Sequence, residues 1–132
     1  MSVFIDSAAL YAVLDADDDN HAAAKGAWID LLNRREELVC SNYILIESFA
    51  LVQHRLGMEA ARALQEDVVP VLSIYWVDQY THQASVSAML TAGRRQLSLV
   101  DCVSFECMRR LGIRTAFTFD RHFAEQGFQC IP

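Results

Sequence analysis

The chain has 132 residues, 53% of them hydrophobic, with five Gly, two Pro and no low-complexity tract, which is the composition of one compact domain over residues 1–132. At this length a globular fold buries roughly two-thirds of the surface its unfolded chain exposes, so neither a disulfide nor a metal is required merely to fold. Seventeen acidic against eleven basic residues leave a net charge of −6, which argues against nucleic-acid binding by bulk positive charge.

Acids that converge on divalent cations are the exception, because a bound ion becomes the largest charge in its surroundings and inverts the local sign. The uncharged apolar runs at 38–46 and 68–77 fall well short of the roughly 18 residues a membrane-spanning helix needs. Met1-Ser2-Val3-Phe4-Ile5-Asp6 reaches an acid early and lacks a basic leader, so no secretory signal and no membrane partner are expected and the cytoplasm is the expected compartment. Cys40, Cys102, Cys107 and Cys130 form no C-x-x-C pair and read as packing groups rather than bridges or zinc ligands.

In chain order, Ser2 to Ile5 reads as a buried strand ending in Asp6, followed by a short helix from Ala8 to Leu14. The run Asp15 to Asn20 reads as a solvated turn before a helix from Ala22 to Leu32. Leu38 to Cys40 is a second strand; Ser41 or Asn42 caps a helix from Tyr43 to Leu56, and Gly57 suits its end. Met58 to Asp67 is helical in composition, Val71 to Val77 returns to strand composition after Pro70, and a helix follows from Asp78 to Ala92. Gly93 to Gln96 is a basic loop, Ser98 to Asp101 opens a helix ended by Gly112, Thr115 to Phe119 is a strand, Asp120 starts a brief helix, and Phe128 to Ile131 adds an edge strand. This alternation predicts an α/β fold with a mostly parallel sheet covered on both faces, whose sites lie beyond the carboxyl ends of the strands.

Asp6, Asp101 and Asp120 each stand where an acid caps a helix, Asp101 in a capping box with Ser98. Glu47 differs: three and four residues away lie Tyr43, Ile44, Ala50 and Leu51, so an acid is expected on the buried face of its helix. A buried carboxylate needs a cation, either a shared metal ion or an arginine from elsewhere in the fold. Asp6, Glu47, Asp101 and Asp120 at one sheet edge form a cluster that does not stay ionised without compensation. Oxygen donors favour Mg²⁺ or Mn²⁺ over zinc, and carboxylates around such an ion suit phosphodiester hydrolysis. The chain lacks G-x-S-x-G, the P-loop and G-x-G-x-x-G patterns, which removes the usual support for serine hydrolase, NTPase and dinucleotide-binding readings.

Four blocks, Phe4 to Tyr11, Ser41 to Glu47, Leu97 to Phe105 and Phe117 to Phe123, resemble in order and spacing the PIN-domain ribonucleases, and within them the VapC-type toxins of toxin-antitoxin pairs. The resemblance implies a three-layer α/β/α PIN-like fold with Asp6, Glu47, Asp101 and Asp120 as metal-binding acids. It implies Mg²⁺- or Mn²⁺-dependent endonucleolytic cleavage of RNA leaving a 5′-phosphate and a 3′-hydroxyl, a homodimer, and an antitoxin that covers the active-site groove. Some relatives carry further acids just before Leu97, where this chain has Arg94-Arg95-Gln96, so ligands for a second ion are fewer here.

Ser7 and Thr118 are candidates to orient the acids through hydrogen bonds, and Arg94, Arg95 and Arg121 to meet RNA phosphates. His21, His54, His82 and His122 are scattered and read as ordinary histidines; Tyr11, Phe49, Phe105 and Phe123 read as core. A catalytically silent PIN-like module that binds RNA or a protein is the competing function, and a metal-dependent enzyme acting on DNA or a small phosphoester is a third.

Overall fold

A computed structural model describes all 132 residues. Strand β1 (Ser2–Ile5) leads into helices α1 (Ser7–Leu14) and α2 (His21–Asn33), then β2 (Glu37–Ser41), α3 (Asn42–Leu56) and α4 (Met58–Ala63). Next come β3 (Ser73–Tyr75), α5 (Gln79–Ala92), α6 (Leu99–Leu111), β4 (Thr115–Phe117), α7 (Arg121–Glu125) and β5 (Gln129–Ile131). The five strands form one sheet in the order β3-β2-β1-β4-β5, and every neighbouring pair is parallel. No helix is long and apolar enough to cross a membrane.

Successive strand residues point to opposite faces, so a strand buried at every position is covered on both sides. Val3, Phe4 and Ile5 of β1 and Thr115, Ala116 and Phe117 of β4 are buried without alternation, which places a helical layer on each face of the sheet. Right-handed crossovers put the connections toward β2 and β3 on one face and those returning to β4 and β5 on the other. In keeping with this, α1 packs on α2 and α3, while α5 packs on α6. The chain parts in opposite directions on either side of β1, between β1 and β4, and this is the kind of point where parallel sheets open a crevice.

Helix boundaries follow local chemistry. Ser41 caps α3 through a bond from Ile44 N–H to its Oγ, 3.2 Å, and Asp78 caps α5 through Thr81 N–H, 2.7 Å. Gly112 takes φ +69° at the end of α6, a left-handed stop that favours glycine.

Between α4 and β3 the chain departs from expectation. The helix anticipated over Met58 to Asp67 stays regular only to Ala63, widens over Leu64–Val68 and tightens into a single turn over Val69–Val71. Pro70 accounts for the change, since its ring excludes the regular hydrogen bond and forces a turn. The strand anticipated from Val71 to Val77 shrinks to Ser73–Tyr75, because Val77 N–H bonds the Asn42 side chain, 2.8 Å, rather than a strand. The strand expected to reach Phe119 ends at Phe117, where Thr118 and Asp120 begin the turn into α7.

The core is one cluster of 28 buried apolar residues. Phe123 on α7 is fully buried and meets Phe105 of α6 edge-on, ring centroids 4.9 Å apart, which fixes the short helix that follows Asp120. Phe123→Ala is expected to cost about 3–5 kcal/mol of folding stability, read as a shift in the urea midpoint at unchanged slope.

Candidate metal centre

Four segments remote in sequence end at the carboxyl edge of the sheet. Asp6 is the first residue past β1, Thr118 to Asp120 follow β4, Asp101 lies in the first turn of α6, and Glu47 is on the second turn of α3. All three aspartates cap helices, as their positions led one to expect. Asp6 Oδ1 accepts from Ser7 N–H, 2.9 Å, at the start of α1. Asp101 Oδ2 accepts from Ser98 N–H, 3.0 Å, while Ser98 Oγ accepts from Asp101 N–H, 3.1 Å, a reciprocal capping box. Asp120 Oδ1 accepts from His122 N–H, 2.9 Å, at the start of α7.

Thr118 ties two of these acids together. Its hydroxyl donates to Asp6 Oδ2, 3.0 Å, and accepts from the Asp120 backbone N–H, 3.0 Å. Ser7 does the same for the opposite wall: beyond its N–H to Asp6, its hydroxyl donates to Glu47 Oε1.

Burial and mutual repulsion govern the charges. Asp6 is 5% exposed; burial pushes its carboxyl up to about 7 against the hydrogen bonds from Thr118 and Ser7, and the charges of Asp101 and Asp120 raise it further. Asp101 is shifted upward as well, first by burial, with the Asp120 carboxylate adding to the rise. One carboxylate oxygen from each of Asp101 and Asp120 and one ring nitrogen of His122 lie within 4.8 Å of one another. No lysine or arginine forms an ion pair with Asp6, Glu47, Asp101 or Asp120.

Glu47 sits differently from what its apolar helix neighbours implied. It is half-buried at the rim rather than sunk in the core, because α3 turns that face toward the cleft. Its partner is the Ser7 hydroxyl and not an arginine. The donors that lie within 4.8 Å of one another come from Asp101, Asp120 and His122, and neither Glu47 nor Asp6 is among them.

His122 is the residue that the sequence reading passed over. It is 7% exposed, its Nδ1 lies 2.7 Å from Asp120 Oδ1, and neither ring nitrogen has a hydrogen-bond partner, since the angle to Asp120 is unsuited to one. Its spacing two residues after Asp120 was the available signal. The three arginines are exposed: Arg94 pairs with Glu125 at 3.0 Å and Arg121 approaches the same carboxylate at 3.9 Å, whereas Arg95 makes no ion pair. The four cysteines are free thiols.

Repelling carboxylates without a lysine or arginine partner, beside a buried imidazole whose nitrogens lack hydrogen bonds, form a donor set that fits a divalent metal ion.

The family model for the PIN domain matches residues 3–129. The chain belongs to the PIN-domain family. Among PIN proteins, the 23S rRNA-specific endonuclease VapC20 of Mycobacterium tuberculosis is 30% identical over 129 residues, covering 96% of this chain and 95% of that protein. The crystal structure of M. tuberculosis VapC20, described as a Sarcin-Ricin loop cleaving toxin, superposes with a TM-score of 0.87 at 28% identity, over 98% of this chain and 99% of that one. FitAcB from Neisseria gonorrhoeae shares the PIN fold at a TM-score of 0.71 and 16% identity, over 100% and 97% of the two chains.

Asp6 fixes a pH dependence. In the metal-free fold it binds a proton below about 7, whereas its unfolded carboxyl does so only near 3.8. Between these values the folded state holds more protons, so stability rises as pH falls. Urea denaturation in chelator is expected to show a gain of about 2–3 kcal/mol from about pH 8 to about pH 5, and Asp6→Asn to remove most of that slope.

Proposed function

We propose that this PIN domain, acting as one unit over residues 1–132, is the toxin of a toxin-antitoxin pair and a metal-dependent endoribonuclease. The observation that carries the proposal is the gathering of Asp6, Asp101 and Asp120 at the switch point of the sheet with no lysine or arginine paired to any of them. Likeness over nearly the whole chain to a 23S rRNA-specific endonuclease supports RNA as the substrate class and makes ribosomal RNA the first target to test.

In this reading Asp6, Asp101 and Asp120 would hold Mg²⁺ or Mn²⁺ from one wall and Glu47 from the other. When bound, the cation supplies positive charge against the phosphodiester and acidifies water. The chain's own residues do the positioning. Thr118 and Ser7 lock the Asp6 carboxylate through both oxygens, and Ser7 also fixes Glu47 Oε1, leaving Oε2 without a hydrogen bond. Water attack on phosphorus in line with the O3′ leaving group yields a 5′-phosphate and a 3′-hydroxyl. Arg95, which has no acidic partner, is free to meet a phosphate, while Arg94 and Arg121 must first leave Glu125.

An apolar groove of about 350 Å³ lined by Tyr43, Ile46, Glu47, Ala50 and Val100 opens beside this wall. It supports the reading that an antitoxin helix covers the site. Exposed Trp76, Tyr80 and Leu90 support self-association into a homodimer.

Asp6→Asn and Asp101→Asn should each cut RNA cleavage by at least about 100-fold while the circular dichroism spectrum stays unchanged, and chelator should abolish cleavage by the parent protein. Undiminished cleavage in both variants overturns the nuclease reading; RNA bound but never cut would favour the silent module. Ile46→Asp should leave cleavage intact and weaken neutralisation by the product of the adjoining reading frame by at least about tenfold.

A further inference from the structure

His122 is unusual among the buried groups of this protein. Buried imidazoles normally have hydrogen-bond partners, and leaving a buried donor or acceptor bare is unfavourable. Yet His122 is more than nine-tenths buried with both Nδ1 and Nε2 unpartnered, in a structure where only Ser48 shares that condition. Phe123, next in sequence and fully buried, holds the backbone on which the ring is mounted.

The ring is aimed into the acidic cluster. One of its nitrogens and one oxygen from each of Asp101 and Asp120 lie within 4.8 Å of one another. Donors facing each other across a single ion with bonds of about 2.1 Å stand about 4.2 Å apart, so small side-chain rotations bring all three onto one centre. The simplest rival is a hydrogen bond to Asp120, already at 2.7 Å but wrongly angled. That bond would satisfy one nitrogen only.

We propose that His122 is a ligand of the cation in this site, which makes the site a mixed nitrogen and oxygen one that selects a first-row transition ion over Mg²⁺. The proposal rests on the metal-dependent reading above. Its chemical basis is that Mg²⁺ demands oxygen ligands and sheds its waters reluctantly, whereas imidazole is a ligand of transition ions. A nitrogen donor therefore contributes to holding one class of ion and little to the other.

Mn²⁺ serves as the probe because it is paramagnetic. The full chain, labelled with ¹⁴N- or ¹⁵N-histidine, is loaded with Mn²⁺ and examined by pulsed electron paramagnetic resonance, with titration calorimetry of Mn²⁺ and Mg²⁺ alongside. A histidine nitrogen coupling that changes with the isotope, survives in His82→Gln and disappears in His122→Gln is the expected result. Calorimetry should show Mn²⁺ bound at least about tenfold more tightly than Mg²⁺, with that ratio reduced about tenfold in His122→Gln. Mn²⁺ binding without any nitrogen coupling, or with a coupling that persists in His122→Gln, overturns the proposal and leaves the nuclease reading intact. Absence of Mn²⁺ binding to the parent protein removes both. Because the isotope comparison uses the parent chain, a poorly folded variant does not rescue the proposal.

Discussion

Repulsion among carboxylates held at one end of a parallel sheet is the constraint around which this protein is organised. Asp6, nearly fully buried, faces the charges of Asp101 and Asp120 with no arginine or lysine in an ion pair with any of them. Water cannot screen such a group, so its carboxyl rises to about 7. A fold selected for stability alone would place an apolar residue or a paired charge there. Retaining acids in that position is the pattern of a site whose local cost is offset elsewhere, here by a continuous apolar core.

The sheet is what makes the convergence possible. Because all five strands run the same way, every strand delivers its following residue to one edge, and residues 6, 118 and 120 arrive together across the β1–β4 pair without a loop having to carry them. Helices α3 and α6 then present Glu47 and Asp101 from their early turns. Each acid is thus mounted on a regular element or its first exit, and positional precision comes from packing rather than from loop conformation. Thr118 and Ser7 refine the arrangement, Thr118 linking Asp6 and Asp120 through its hydroxyl and Ser7 linking Asp6 and Glu47 through its backbone N–H and its hydroxyl.

Much of this was legible in the sequence, for identifiable reasons. Asp6 and Asp120 each follow an apolar run, which locates them at strand ends, and Ser98 with Asp101 announces a helix start by capping chemistry that acts over three residues. What failed depended on tertiary context. In the segment 64–71 Pro70 breaks the helix, but where before it the chain widens and where it tightens depends on Leu64 and Val68, which are buried in the core. Glu47 was placed too deep because helical spacing tells which residues share a face but not whether that face meets the core or a cleft; its partner, Ser7, is 40 residues away. His122 escaped because four histidines spread along a chain show no pattern until the turn after β4 folds one of them back onto Asp120.

Capping and metal holding looked like alternatives for the aspartates in the sequence, but a carboxylate has two oxygens and about four lone-pair directions. Asp101 spends Oδ2 on the Ser98 N–H and keeps Oδ1 unbonded; Asp120 spends Oδ1 on the His122 N–H and keeps Oδ2. The cap has a second effect beyond satisfying a backbone donor. It holds the side chain in one rotamer, so the remaining oxygen points where the fold directs it rather than where repulsion would drive it. Two aspartates that would otherwise swing apart are each pinned by a backbone N–H, and the helix starts oppose the repulsion. An asparagine in such a position keeps the capping acceptor and loses the charge, which separates the two roles of one side chain. Stability of the helix start and affinity for a cation should therefore respond independently at these positions, as two properties carried by different oxygens of the same group.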